Sequence, residues 1–573
     1  MLQTSGQPLI VQSDSTVLAE VNAPGFDEAR MQLARFAELV KSPEHIQTYR
    51  ISPLSIWNAA AAGLSLDDIR GALVRYSKYA VPENILAEIE HTYARYGVVK
   101  LQPWAEPTRL ILEIHDAFLR QQLSRDPGLS SMLQEKIDEH SFAIWAKDRG
   151  RLKQSLIKIG YPVVDLAGYV NGDPCRIDLR STTKSGLPFT LRDYQIKAAD
   201  TFYQAGSSRG GSGVIVLPCG AGKTVVGMAV MSKLGAQTLI ICTSLAAVHQ
   251  WIDEILDKTL LTSEQVGEYS SDAKQLRPVT VATYNILTHM KPGAAAYDHF
   301  DLFNAANWGL IIYDEAHLLP APLFRMTAEI QARRRLGLTA TLIREDGLED
   351  DVFSLVGPKR YETPWKELET KGWIAQAVCH ELRVPLSEED KYRYAVAESR
   401  ARFRIAAENR NKAPIARQLL QKHAGEPTLI IGQYVDQLKK IAAELDLPLI
   451  TGQTANAKRE KLYSQLRAGA LPALVVSKVA NFSIDLPDAR VLIEISGAFG
   501  SRQEEAQRLG RILRPKKDGA TATFYTLVSH HTSEQEFARH RQLFLTEQGY
   551  KYQIEVCAAP APDILGDLGK RAG

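Results

Sequence analysis

From residue 186 onward, short apolar runs alternate with helical stretches, and no other feature restricts the fold as strongly. The first set reads SGVIVLP, AQTLIICT, PVTVATY, WGLIIYDE and RLGLTAT; the second reads PTLIIGQY, PALVVSK, ARVLIEIS and TATFYTLVS. Runs of this length and composition, separated by helices, suit strands buried on both faces, as in parallel sheets covered by helices. Two such sets in tandem predict an α/β chain with two lobes. At 573 residues one hydrophobic core is insufficient, and three or four domains are expected.

The remaining sequence divides around these lobes. Residues 1–101 form a mostly helical N-terminal domain, with helical periodicity from 49 and boundaries at Ser-Pro and Val-Pro. Residues 102–185 mix strands (RLILEI, SFAIWA, YPVVDL) with helices as a small α/β module. The first lobe is expected over 186–385 and the second over 423–556, with a basic insertion at 386–422. The Ala/Pro/Gly-rich stretch 557–573 reads as a flexible tail.

Hydrophobic residues at 45% and charged residues at 23% are ordinary globular values. No apolar run approaches the ~20 residues of a membrane span, and the N-terminus lacks a basic region followed by an apolar core. The five cysteines are scattered, with no zinc spacing or disulfide framework, so a reducing, cytoplasmic setting is expected. The net charge of +2 leaves any nucleic-acid affinity to local patches.

The stretch LPCGAGKT, 217–224, ends an apolar run and opens a helix. Glycines there let backbone N–H groups converge on phosphate oxygens where the helix dipole is positive. Gly220, Ala221 and Gly222 would form the cradle. Lys223 would reach the β and γ phosphates, and the Thr224 hydroxyl would ligate Mg²⁺. The strict phosphate-loop pattern wants Gly at 217, where this chain has Leu, so a plain glycine-rich turn stays open on this loop alone.

A second element narrows the choice. LIIYDEAH, 310–317, ends an apolar strand with two acids, where open α/β sheets bind ligands. Asp314 would hold the Mg²⁺ and Glu315 would orient and deprotonate an attacking water. A third, QRLGRILR at 507–514, carries Arg508, Arg511 and Arg514 on a helix of the second lobe. Arg511 and Arg514 are three apart and share a face; such arginines stabilise the charge that spreads over a transferring phosphoryl group. For Arg508 a solvated helix face stays open. ATP held by both lobes, then hydrolysed, is a motor design.

The chain resembles the superfamily-2 helicases, and within them the XPB-type DNA-repair and transcription helicases. The resemblance rests on VIVLPCGAGKT, RLGLTATLIREDG, SKVANFSIDLPDARVLIEIS, GSRQEEAQRLGRILRPKK and RQLFLTEQGYKYQIEV. The missing acidic insertion and the Asp-Glu-Ala-His box point to a prokaryotic relative. It implies two tandem RecA-like parallel-sheet lobes, use of ATP with Mg²⁺, and 3′-to-5′ movement on DNA. The superfamily pattern also tolerates a non-glycine at 217.

Further roles follow from that resemblance. Gln195 and Arg192 would read the adenine, with the Gln195 amide as donor and acceptor. His317, Thr339, Thr341 and Gln507 would couple nucleotide state to the nucleic-acid groove, with Ser477 and Asp485 linking the second lobe to both. Arg344, Glu345 and Asp346 resemble the strand-separation element, with a surface turn as the other reading. For residues 102–185, which match more weakly, the family suggests a damage-recognition module.

Charge offers an independent pointer to nucleic acid. Residues 391–422 hold nine Lys and Arg, Arg400, Arg402 and Arg404 among them, against two Glu. Tyr392, Tyr394 and Phe403 are interleaved, which suits phosphate contact with base stacking; a solvated helix face is the other reading. The family places a thumb-like insertion there. Expected partners are DNA, as single strands and duplex junctions, and a repair nuclease or transcription-related proteins, with no membrane. Three readings remain: a DNA motor, an ATP-gated clamp or assembly subunit, and an RNA helicase, since backbone-tracking grooves need not distinguish the sugars.

Overall fold

In the computed structural model all nine apolar runs are strands, divided between two seven-stranded sheets. The structure describes residues 6–558 apart from 42–44, 107, 219, 290–299, 304, 321–322, 324–326, 328–329, 331–332, 341–348, 364, 478–488, 498–504, 506–507, 511 and 514–520. The expected tail lies outside them from 559 onward. The chain divides into two compact units, one holding Met1–Pro218 and Gly222–Pro364, the other Trp365–Gly573 with Cys219–Ala221.

In the first unit the large sheet runs Val266–Tyr269, Val279–Thr283, Thr238–Cys242, Leu310–Asp314, Arg334–Thr339, Ser212–Val216, Lys359–Glu362. Every pairing in it is parallel. Strands 212–216, 238–242 and 279–283 are buried at every position, which explains their unbroken apolar character.

The second unit repeats the plan with Leu449–Ile450, Ala473–Ser477, Thr428–Gly432, Val491–Glu494, Ala522–Ser529, Ala377–Val384 and Tyr552–Val556, again all parallel. Two expected boundaries change here. Strand Ala377–Val384 lies between Ala522–Ser529 and Tyr552–Val556, so residues 377–384 belong to the second sheet, not the first lobe. Helix Lys412–Lys422 buries Ala413, Ile415, Ala416 and Leu419 in that sheet's core, so the stretch assigned to an insertion ends in a core helix.

The N-terminal region is less helical than expected. Leu9–Val11, Thr16–Glu20, Ile46–Arg50 and Glu38–Lys41 form an antiparallel sheet. Three helices follow, Pro53–Ala61, Leu66–Tyr76 and Glu83–Arg95. The first two are opened by capping boxes, Ser52 with Ser55 and Ser65 with Asp68, which satisfy the free N–H groups of the first turn. The next module is the mixed α/β unit expected, with strand order 133–136, 141–145, 109–114, 99–103, 163–165. It begins earlier than residue 102, because Val99–Pro103 is one of its inner strands.

Both N-terminal pieces are anchored to the first large sheet. Trp57, Ile157 and Phe353 share one buried cluster. The Asn58 side chain accepts the Lys359 N–H at 3.0 Å on the sheet's edge strand. Helix Arg149–Lys158 packs on a π-turn, Val352–Val356, and Gln154 donates to the Asp351 carboxylate at 2.8 Å. No helix among the described residues is long and apolar enough to cross a membrane. Cys175, Cys242, Cys379 and Cys557 are free thiols.

Candidate nucleotide site

The phosphate-loop sequence leaves strand Ser212–Val216 and enters helix Lys223–Leu234. Leu217, the departure from the glycine pattern, is fully buried, and its N–H donates to the Thr339 carbonyl at 3.0 Å. It extends the ladder by one residue, so glycine is not needed there. Gly220 and Gly222 have φ of 81° and 79°, the left-handed region that side chains resist. At Gly222 space is a second constraint, because a Cβ would lie 2.7 Å from Gln195 Nε2.

Gln195 is buried in the first turn of helix Asp193–Tyr203. Its Oε1 accepts the Arg192 N–H at 3.0 Å, and Arg192 Nη1 donates to the Tyr194 hydroxyl at 3.1 Å. The two residues expected to read a base thus stand together beside the loop. Thr224 occupies the first turn of the loop's helix.

Asp314 and Glu315 follow at the carboxyl end of the buried strand Leu310–Asp314. Glu315 Oε1 lies 3.6 Å from Lys223 Nζ, joining the two sequence motifs. Glu315 has φ 51°, an uncommon state for a non-glycine residue and one that concentrates at functional sites. Its Oε2 makes no hydrogen bond and lies 3.5 Å from His317 Nδ1. His317 Nδ1 is also 2.6 Å from Thr339 Oγ1. Lys223, Glu315, His317 and Thr339 therefore form a chain from the loop to the strand carrying LTAT.

The two carboxyls are driven apart electrostatically. Burial, and then the neighbouring Glu315 charge, raise Asp314 above the carboxylate range. Burial would raise Glu315 too, but Lys223 and His317 outweigh it and lower it. Side by side, one acid is held ionised and the other resists ionisation. Two partners of Asp314 were not singled out from sequence. Trp251 Nε1 donates to Oδ2 at 2.9 Å, and the Tyr284 hydroxyl donates to the Asp314 carbonyl at 2.6 Å. Tyr284 closes the apolar run PVTVATY, and Trp251 lies in helix Leu245–Lys258.

Arg511, Arg514, Gln507, Thr341, Arg344, Glu345, Asp346 and Asp485 lie outside the described residues, as does the Arg400 side chain. Ser477 ends its strand, buried. Arg508 is fully buried against Glu494, with Arg541 and Glu505 beside them, so the solvated-face reading of Arg508 is wrong. Burial, then Glu494, push the Glu505 carboxyl up to about 8 from its ordinary 4.5. A raised carboxyl contributes stability that is complete below the unfolded value and is lost as pH climbs through the folded one. Glu505→Gln is thus expected to raise the melting temperature by on the order of 5 °C more near pH 9 than near pH 5. Thermal denaturation at both pH values checks this; an equal shift at both would refute it.

The basic segment is less available than its composition suggests. Glu388, Glu389 and Asp390 directly precede it, and Lys391, Arg393 and Arg410 pair with them at 2.7, 3.0 and 3.2 Å. Lys412 is buried against Glu534 at 2.9 Å. Phe403 is buried edge-on to Phe537, and the Tyr394 hydroxyl bonds Ser533. Phe403 is thus withdrawn from any base, Arg402 lies over the half-buried Tyr394 ring, and Tyr392 is 72% exposed. Arg402 donates to the carbonyls of Ala395 and Ala397, and Arg404 pairs with Glu408.

The family described as ERCC3/RAD25/XPB C-terminal helicase matches residues 368–563. Type III restriction enzyme, res subunit, matches 188–344, and helicase conserved C-terminal domain matches 9–138. The chain is 51% identical over 561 residues to a DNA 3′-5′ helicase XPB of Kineococcus radiotolerans, covering 98% of each. It is 51% identical over 560 residues to the Mycobacterium tuberculosis protein of the same name, covering 98% of this chain and 99% of that one. A Saccharomyces cerevisiae protein, general transcription and DNA repair factor IIH helicase/translocase subunit XPB/SSL2, is 32% identical over 616 residues, covering 96% and 72%. With such likeness along nearly the whole sequence, the chain belongs to the XPB family of helicases.

Proposed function

We propose that the protein is an ATP-driven DNA helicase that advances 3′ to 5′ and separates strands in repair or transcription-linked work. The observation that carries this is the Lys223–Glu315 pair at 3.6 Å. It joins the loop lysine to the acid that would activate water, at the strand ends where such a fold binds nucleotide. The near-complete match to relatives named DNA 3′-5′ helicases supports DNA over RNA.

The residues fit ATP with Mg²⁺. Gly222 opens a helix N-terminus, Lys223 supplies a cation, and Thr224 and Asp314 supply the oxygen donors that a hard cation takes. The metal, when bound, would neutralise charge on the phosphates. Lys223 must leave Glu315 to meet a phosphate, which frees Glu315 to accept the proton of the attacking water. His317 and Thr339 would feel that change directly, with Thr341, Gln507, Ser477 and Asp485 continuing the coupling. Arg192 and Gln195 would hold the adenine. Arg511 and Arg514 would supply transition-state charge, whereas buried Arg508 would serve structure. Arg344, Glu345 and Asp346 would meet the strand junction, and Arg400, Arg402 and Arg404 the DNA backbone. A repair nuclease or transcription proteins would be partners.

The test pairs ATPase assays with strand displacement. Single-stranded DNA should stimulate hydrolysis more than RNA, and duplexes with a 3′ tail should open while those with a 5′ tail stay closed. Preferential stimulation by RNA, or hydrolysis without displacement, would overturn the proposal.

A further inference from the structure

Trp251 lies in helix Leu245–Lys258 and is 1% exposed. Packing alone explains a buried tryptophan, but not the direction of this one. Its ring passes over Gly227 of the phosphate-loop helix, where an added Cβ would come within 2.6 Å of the indole. The missing side chain thus lets the indole reach the strand end. There Nε1 donates to Asp314 Oδ2 at 2.9 Å, while the Glu315 N–H donates to Oδ1 at 3.1 Å. Each carboxylate oxygen is held by one donor and keeps further acceptor capacity.

We propose that Trp251 is a positioning residue for nucleotide-bound Mg²⁺, its indole N–H fixing the orientation in which Asp314 presents its carboxylate to the metal. The inference rests on the reading of Asp314 as a metal-binding acid. Gly227 is the clearance that this arrangement requires. A buried carboxylate without that donor would turn to find another partner, and the geometry of metal binding would be lost.

The experiment measures binding of a fluorescent ATP analogue to the full chain as Mg²⁺ is titrated. Trp251→Phe keeps most of the packed ring and removes the donor; Gly227→Ala keeps the donor and displaces the ring. Asp314→Asn is the reference, and melting curves establish folding. Both variants should raise half-saturating Mg²⁺ by roughly tenfold, with metal-free nucleotide affinity unchanged, and Asp314→Asn should abolish the Mg²⁺ dependence. If Trp251→Phe does not fold, Gly227→Ala decides. Wild-type Mg²⁺ half-saturation in the folded variants, with the dependence lost in Asp314→Asn, overturns the role of Trp251 alone. Mg²⁺ dependence that survives in Asp314→Asn overturns the metal reading beneath it.

Discussion

Lys223→Ala is expected to cut ATP hydrolysis by on the order of 10²–10³-fold, the cost of removing one charge-stabilising donor from a reacting group. Lys223 begins the loop's helix, and its ammonium is mostly withdrawn from solvent beside Glu315. Glu315 would also lose the first cation holding it ionised, which adds to the loss. Steady-state phosphate release, with and without DNA, measures the effect. Turnover near wild type would mean that the loop does not hold the reacting phosphate. Stability should change little, because His317 still faces Glu315.

Glu315→Gln should separate binding from chemistry. The amide keeps the size and the strained backbone of the site but cannot take a proton, so turnover should fall by about 10²–10⁴-fold. Nucleotide affinity should hold or tighten, since Lys223 no longer has to break an ion pair to reach a phosphate. Equilibrium binding and single-turnover hydrolysis on one preparation read both quantities. Rapid hydrolysis by this variant would assign the base to another group.

What could be read in advance follows physical lines. Strands buried on both faces announced themselves, as did the loop and the two acids at a strand end, since each is a local pattern; Arg192 and Gln195 come only from the family resemblance. The missed strands are short or polar. Lys359–Glu362 and Tyr552–Val556 are sheet edges with half-open or exposed side chains, and the N-terminal strands run three to five residues. The charge count of the basic segment stops just short of three acids that pair with it. Trp251 and Tyr284 were illegible as partners of Asp314, because their contacts cross 63 and 30 residues of sequence. A buried ring that packs and a buried ring that donates look alike in a string of letters.

The shared cluster of Trp57, Ile157 and Phe353 has a practical corollary for anyone shortening the protein. Cloning from residue 186 onward, where the sheet pattern starts, would strip two of those three side chains and leave Phe353 bare beside a half-open edge strand. Such a fragment should precipitate or self-associate instead of behaving as a minimal motor, and the first 185 residues are best regarded as wall, not ornament.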